Sequence, residues 1–135
     1  PHPKKLEFLE EVKNAIRAAG VENNVTLVGH RSDLREVMAV SDVIVSCSTD
    51  PEAFGRVTLE ALAIGKPVAA YSHGGVAEQL SELLPRGEIQ VGNIKAMTKL
   101  LAEWRREAIL PVNNQLFNRR IMLDKTSHIY TRACK

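Results

Sequence analysis

The chain has 135 residues, of which 44% are apolar and 25% are charged, a composition typical of one soluble globular domain. Its formal net charge is only +2 and its Lys and Arg residues are scattered, which argues against binding to nucleic acid or to an anionic membrane surface. The sequence contains no apolar run of about 18 residues and no signal peptide, so no transmembrane helix is predicted. The use of only two cysteines, far apart, fits a reducing, cytoplasmic compartment.

Short apolar segments alternate along the chain with segments of helical periodicity. In chain order the predictions are a helix over 4–19, a strand over 25–28, a short helix capped by Ser32 or Asp33, a strand over 43–47, a helix over 56–64, a strand over 67–70, a helix over 76–84, a strand over 89–91, a helix from Ile94 to Trp104 before the break at Pro111, and a last helix capped by Asn118.

This alternation predicts an α/β fold, a Rossmann-like parallel sheet of about four strands with helices on both faces. A complete doubly wound domain has about five or six strands. The chain is therefore expected to form a single domain over residues 1–135 that begins part-way through the domain of a longer protein.

The two cysteines, Cys47 and Cys134, lie far apart in the sequence. Cys47 ends an apolar segment and is predicted to be buried as a small hydrophobic residue. No spacing of His and Cys typical of a metal site occurs, so no metal is predicted.

Three loops lie where ligands bind in an open parallel sheet, beyond the carboxyl ends of the strands: residues 29–33, 48–55 and 72–75. Each loop leads into a predicted helix, and a helix start presents unpaired N–H groups to an anion. Gly55, and Gly74 with Gly75, allow a close approach of the main chain.

Glu52 and Glu60 lie eight positions apart across the second of these loops and the helix that follows it. Ionised carboxylates accept hydrogen bonds from hydroxyl groups, and a vicinal diol suits one carboxylate well. The arrangement predicts a ligand with an anion and several hydroxyls, such as a nucleotide sugar. Taken alone, the spacing fits two ordinary solvated residues better, because Glu is common on surfaces and in helices.

The pattern Ser-x-x-x-Glu-x-Phe-Gly-x-x-x-x-Glu-Ala-x-Ala-x-Gly-x-Pro-Val, followed by Gly-Gly-x-x-Glu, resembles retaining glycosyltransferases with the E-x7-E motif, known as group 1 or family four. The resemblance implies the C-terminal, donor-binding half of a GT-B fold. It implies that Glu60 binds the ribose, that Glu52 is the catalytic-site carboxylate at the donor sugar, and that the main chain of residues 54–57 contacts sugar and diphosphate.

The same resemblance assigns donor-binding roles along the rest of the site. The residues concerned are Phe54, Gly55, Arg56, Val57, Gly29, His30, Arg31, Gly74 and Gly75, with the segment at Gly29 lying near the base. Ala53 stands where the family has Gly, a mild change. His73 is expected to be a structural residue more often than a donor ligand.

The resemblance also implies what the chain lacks: the N-terminal acceptor domain and an upstream Arg and Lys on the donor diphosphate. Arg31, Arg56 and Lys66 remain, and Arg56 is the nearest candidate for an accessory contact. The fragment alone is expected to be inactive. The full enzyme is expected to need no metal or cofactor, and to bind a nucleotide-sugar donor and a glycan or lipid-linked hydroxyl acceptor.

The neighbourhood of Glu52 resembles bacterial enzymes that build surface polysaccharides, which implies a possible peripheral position at the inner membrane face. Two alternatives stay open: a non-catalytic nucleotide- or sugar-binding module, and a GT-B enzyme of different chemistry, such as a nucleotide-sugar epimerase or a sugar-phosphate synthase. The missing Gly-x-Gly-x-x-Gly and Walker sequences argue against a dinucleotide oxidoreductase and a P-loop kinase.

Overall fold

The computed structural model describes residues 3–111, 113 and 116–133. Two compact units are present, the first ending at Ser32 and the second beginning at Asp33. Cys134, which the sequence analysis considered, lies outside the described residues.

The first unit contains helix α1 (Pro3–Ala18), a 3-10 turn (Glu22–Asn24) and a segment over 25–29 that is neither helix nor strand. None of residues 6–32 is buried. The prediction of a strand over 25–28 is wrong, because the segment forms no strand and its apolar side chains are exposed. A β-strand is stabilised by cross-strand neighbours, and local β propensity alone does not supply them.

The second unit alternates strands and helices as the sequence predicts. In chain order its elements are α2 (Leu34–Val40), β1 (Ile44–Ser46), α3 (Arg56–Ala63), β2 (Val68–Tyr71), α4 (Gly74–Leu83), β3 (Glu88–Ile89), α5 (Ile94–Trp104) and α6 (Arg119–Ala133). Among the described residues, none of these helices is both long and apolar enough to cross a membrane.

The three strands form one parallel sheet in the order β1-β2-β3, with Val45 opposite Ala69 and Tyr71 opposite Ile89. All four residues of the central strand β2 are buried. Successive side chains of a strand point to opposite faces, so both faces of the sheet are covered. Helices α3, α4 and α5 all contact β2. The predicted α/β fold is confirmed, with three strands in the described chain instead of four.

The core lies between β2 and the apolar face of α4. Val76, Leu80 and Leu83 are buried at the spacing expected for one face of a helix. Helix α5 contributes Met97 and Trp104 from its own buried face, and the side chain of Asn93 caps its start by accepting a hydrogen bond from the Ala96 amide.

Two features of the second unit differ from expectation. Cys47 is exposed, because it follows the last residue of β1, the strand at the edge of the sheet. Helix α6 is capped by Asn118 as predicted, through a 3.0 Å bond from the Ile121 amide, but it contains no buried residue. Its apolar residues Met122 and Ile129 are 58% and 67% exposed.

Candidate functional site

The loop between β1 and α3 is held against the start of α4 by hydrogen bonds to its main-chain carbonyl groups. His73 Nε2 donates to the Ser48 oxygen at 2.9 Å, and the Gly75 amide donates to the Glu52 oxygen at 2.9 Å. The side-chain amide of Gln79 donates to the Phe54 oxygen. The loop that carries Glu52 is therefore fixed at three points along its length.

Gly74 and Gly75 allow this close packing. A Cβ atom on Gly75 would lie 2.7 Å from the Ala53 and Phe54 oxygens, and one on Gly74 would collide with the Glu52 oxygen. Gly74 also has a φ of +55°, a conformation that favours glycine. These two glycines are thus required for packing of the α4 start against the loop backbone. Their predicted contact with a donor stays a prediction.

The starts of α3 and α4 lie side by side. Gly55 precedes α3 with φ +75° and ψ +53°, and a Cβ atom on it would meet Val76 Cγ2 at 2.7 Å and the Val76 nitrogen at 3.4 Å. Neither helix has a side-chain cap or an acidic residue in its first turn. The first N–H groups of α3 and the positive ends of two helix dipoles therefore meet at one place, which suits an anion such as a diphosphate, whereas the Gly75 N–H of α4 is already bonded to the Glu52 oxygen.

Both candidate carboxylates belong to the segments that meet here, Glu52 to the loop and Glu60 to α3. Glu52 is exposed, and its carboxylate forms no hydrogen bond or ion pair with the described residues. Glu60 lies about one turn into α3, where its Oε1 is 3.1 Å from Nη2 of Arg56. The two side chains are 51% and 82% exposed, so the pair is weak and open to exchange with a ligand.

A hollow of about 330 Å³ adjoins Glu60. Its other lining residues come from α2 and α3: Arg35, Met38, Ala63 and Ile64. Its size and its mixed apolar and charged lining suit part of a nucleoside beside a carboxylate that accepts hydroxyl groups.

Phe54 also lines a different space, a mainly apolar groove of about 650 Å³ between α3, α4 and α6. Leu59, Phe117 and Met122 line the same groove. The donor contact predicted at Phe54 stays a prediction. Val57, which is 41% exposed, lies in the first turn of α3.

The predicted residues near the base belong to the first unit. Gly29 has a φ of +67°, and His30 and Arg31 follow it in the segment that ends this unit. Their role at the base stays a prediction.

Lys66, which the sequence analysis names among the remaining cations, does not lie at the site. It precedes β2 and borders a cavity with Asp42 and Pro67, at the amino ends of the strands, whereas the site lies at their carboxyl ends. No cluster of three His, Cys, Asp or Glu side chains suited to a metal is found within the part of the chain that the structure describes.

Sequence reasoning missed Gln79. It is 1% exposed and lies on the apolar face of α4, three residues after Val76 and next to Leu80. The helical period of α4 predicts an apolar residue at position 79, and the glutamine there is the signal that could have identified it. Ala53, which stands where the family has Gly, causes no backbone strain, since no described residue other than glycine has a positive φ.

The sequence of this chain matches a known protein family. Residues 6–115 match the family described as Glycosyl transferases group 1. A 2-deoxystreptamine N-acetyl-D-glucosaminyltransferase of Streptomyces fradiae is 30% identical over 92 residues, which are 67% of this chain and 22% of that protein. A lipopolysaccharide core biosynthesis mannosyltransferase of Rhizobium meliloti is 32% identical over 102 residues, 76% of this chain and 27% of that protein.

Solved structures also include proteins to which this chain is similar. The chain is similar to Anabaena HepE in complex with UDP, with a TM-score of 0.71 and 31% identity over 77% of this chain and 29% of that one. The complex of the same protein with UDP-glucose gives a TM-score of 0.66 and 34% identity, over 73% of this chain and 27% of that one. The chain spans about a quarter of the length of these relatives. It belongs to the family of glycosyl transferases group 1.

Proposed function

We propose that this chain is the donor-binding part of a glycosyltransferase, and that the whole enzyme transfers a sugar from a nucleoside diphosphate to a hydroxyl acceptor with retention of configuration. One observation carries the proposal. The Glu52 loop is bonded to the start of α4, so that two helix starts without side-chain caps meet in a segment that carries two exposed carboxylates. This combination matches a ligand with a diphosphate between two polyols.

In this proposal Glu60 accepts hydrogen bonds from the ribose hydroxyls and Glu52 orients the donor sugar. The amides at the start of α3, from Gly55 to Val57, bind the diphosphate, where they stabilise the negative charge that develops on the leaving group. Arg56 adds a cation at the same helix start. Gly74 and Gly75 lie at the sugar. The reaction uses no metal ion or cofactor.

The proposed donor is a uridine nucleotide sugar, because solved relatives are complexes with UDP and with UDP-glucose. The proposed acceptor is a glycan or a lipid-linked sugar in bacterial surface polysaccharide synthesis, which the relationship to a lipopolysaccharide core mannosyltransferase supports. The corresponding location is the cytoplasm, at the inner face of the membrane.

A second candidate is a sugar-phosphate synthase of the same fold. It is supported by a mannosylfructose-phosphate synthase of Agrobacterium fabrum, which is 31% identical over 76 residues, 55% of this chain and 16% of that protein. The two candidates share the donor site and differ in the acceptor, so donor binding does not separate them.

The testing experiment is calorimetric titration of the full-length protein that carries this chain with UDP, GDP and ADP. We expect binding of UDP and its loss in Glu60→Ala. Incubation with UDP-glucose and candidate acceptors, followed by proton NMR of the product, then gives the acceptor and the anomeric configuration. A folded protein that binds none of the three nucleotides would contradict the proposal, and an inverted product would contradict retention.

A further inference from the structure

Gln79 is a buried polar residue whose position the fold of the core does not explain. Thr58 and Gln79 are the buried polar residues among the described part of the chain, and Gln79 is 1% exposed. Its Oε1 is buried and has no hydrogen-bond partner among the described residues. An unpaired buried carbonyl destabilises a fold, so an apolar side chain of similar shape would suit the core as well.

The side-chain nitrogen of Gln79 has a specific partner. It donates to the carbonyl oxygen of Phe54, a residue 25 positions away in the loop before α3. The orientation of the amide follows from this contact, because the opposite orientation would place two carbonyl oxygens against each other. Gln79 therefore uses its donor group on the main chain of the Glu52 loop.

This contact fixes the direction of one peptide group. The C=O of Phe54 and the N–H of Gly55 belong to the same planar trans peptide and point in opposite directions. Because the carbonyl is held toward α4, the Gly55 N–H points away from α4, and it forms no hydrogen bond with any described residue. A Cβ atom on Gly55 would meet the side chains of Val76 and Gln79, so this peptide lies close to α4.

We propose that Gln79 is a positioning residue: it holds the Phe54–Gly55 peptide so that the Gly55 N–H, together with the first amides of α3, is presented to the diphosphate of the donor. The inference rests on the proposed function for the identity of the ligand. It adds that the geometry of the anion site is set from a buried residue of α4 that does not touch the donor.

The test compares Gln79→Met with Leu80→Met in the full-length protein that carries this chain. Met is close to Gln in shape and lacks the donor group, and Leu80 is the adjacent, fully buried residue of α4. In Gln79→Met we expect UDP to bind about fivefold to tenfold more weakly, the effect of one lost hydrogen bond. The melting temperature should change little, since the variant removes the unpaired Oε1 and at the same time leaves the Phe54 oxygen without its donor. Leu80→Met should retain the wild-type affinity.

A second measurement needs no ligand. With selective ¹⁵N-glycine labelling, the amide of Gly55 should shift and exchange its proton faster in Gln79→Met, and should stay unchanged in Leu80→Met. A Gly55 amide that does not respond to Gln79→Met overturns the inference, and so does an unchanged affinity for UDP when that amide has moved. If the wild-type protein binds none of UDP, GDP and ADP, the donor assignment fails instead, and the Gly55 amide alone decides whether Gln79 sets this peptide.

Discussion

Arg56 and Glu60 form an ion pair one turn apart at the start of α3, with 3.1 Å between Nη2 and Oε1. The proposed ligand of Glu60 is a ribose, so donor binding must draw the carboxylate away from the guanidinium or share it. An exposed pair of this kind contributes at most about 1 kcal/mol, which two hydroxyl groups can offset. The ion pair thus orients the Glu60 carboxylate and leaves it accessible to a ligand.

From this relationship we expect Glu60→Ala to weaken UDP binding by about tenfold to a hundredfold, the effect of losing hydrogen bonds to a charged group. The matched control is Glu103→Ala on α5, since Glu103 is 47% exposed and lies 3.9 Å from Lys99 in a pair of the same spacing. Titration with UDP and with 2′-deoxy-UDP shows whether the loss of affinity comes from the hydrogen bonds between Glu60 and the ribose hydroxyls. Wild-type protein should prefer UDP, and Glu60→Ala should lose that preference; a preference that persists would place the ribose elsewhere.

Glu52→Gln is expected to lower kcat of the full-length enzyme by about a hundredfold or more, because a group that stabilises developing charge in the transition state is neutralised. Affinity for UDP, which lacks the sugar, should stay unchanged. Steady-state kinetics with a nucleotide sugar, together with UDP titration, measures both. An equal loss in UDP affinity would show that Glu52 contacts the nucleotide and not the sugar.

Gly75→Ala is expected to destabilise the protein by about 1–3 kcal/mol, the usual effect of overpacking, because its Cβ would meet loop oxygens 2.7 Å away. It should also weaken UDP binding, since the loop must move. The control is Gly65→Ala, where φ is +77° and nothing lies within 4 Å, so that only backbone strain of about 1–2 kcal/mol arises. Urea denaturation and UDP titration of both variants check this. A normal UDP affinity in Gly75→Ala would contradict the expectation that a displaced loop weakens UDP binding.

Lys66→Ala is expected to leave UDP affinity unchanged, because Lys66 lies at the amino ends of the strands. Arg56→Ala, which removes a cation at the start of α3, should weaken UDP binding and reduce its dependence on salt. Titration at two ionic strengths tests both variants together. The interpretation of the site would fail if the Lys66 variant were the more affected.

Periodicity and turn residues predicted most of the second unit, because each segment there carries its own signal. Helix α5 runs from Ile94 to Trp104 as its apolar spacing indicates, and Asn118 caps α6. The strand over 25–28 and the burial of Cys47 were not predictable in the same way. Both depend on which neighbours cover a segment, and this information does not lie in the segment itself.

For the candidate site, the sequence identified the loops and the carboxylates but not the contacts that fix them. Glycine at 74 and 75 was interpreted as room for a ligand, whereas the structure fills that room with the backbone of residues 52–54. The bond from Gln79 joins residues 25 positions apart, and no local pattern reports such a pair. The hydroxyl-binding roles of Glu52 and Glu60 stay predictions.

The attachment of the Glu52 loop to α4 runs entirely through main-chain oxygens, those of Ser48, Glu52 and Phe54. Every residue type carries such an oxygen, so the course of the loop does not depend on which side chains it bears. An exchange of Ala53 or Phe54 that keeps the backbone conformation therefore leaves these hydrogen bonds in place. The groups that donate them lie at His73, Gly75 and Gln79, so these three positions constrain the loop.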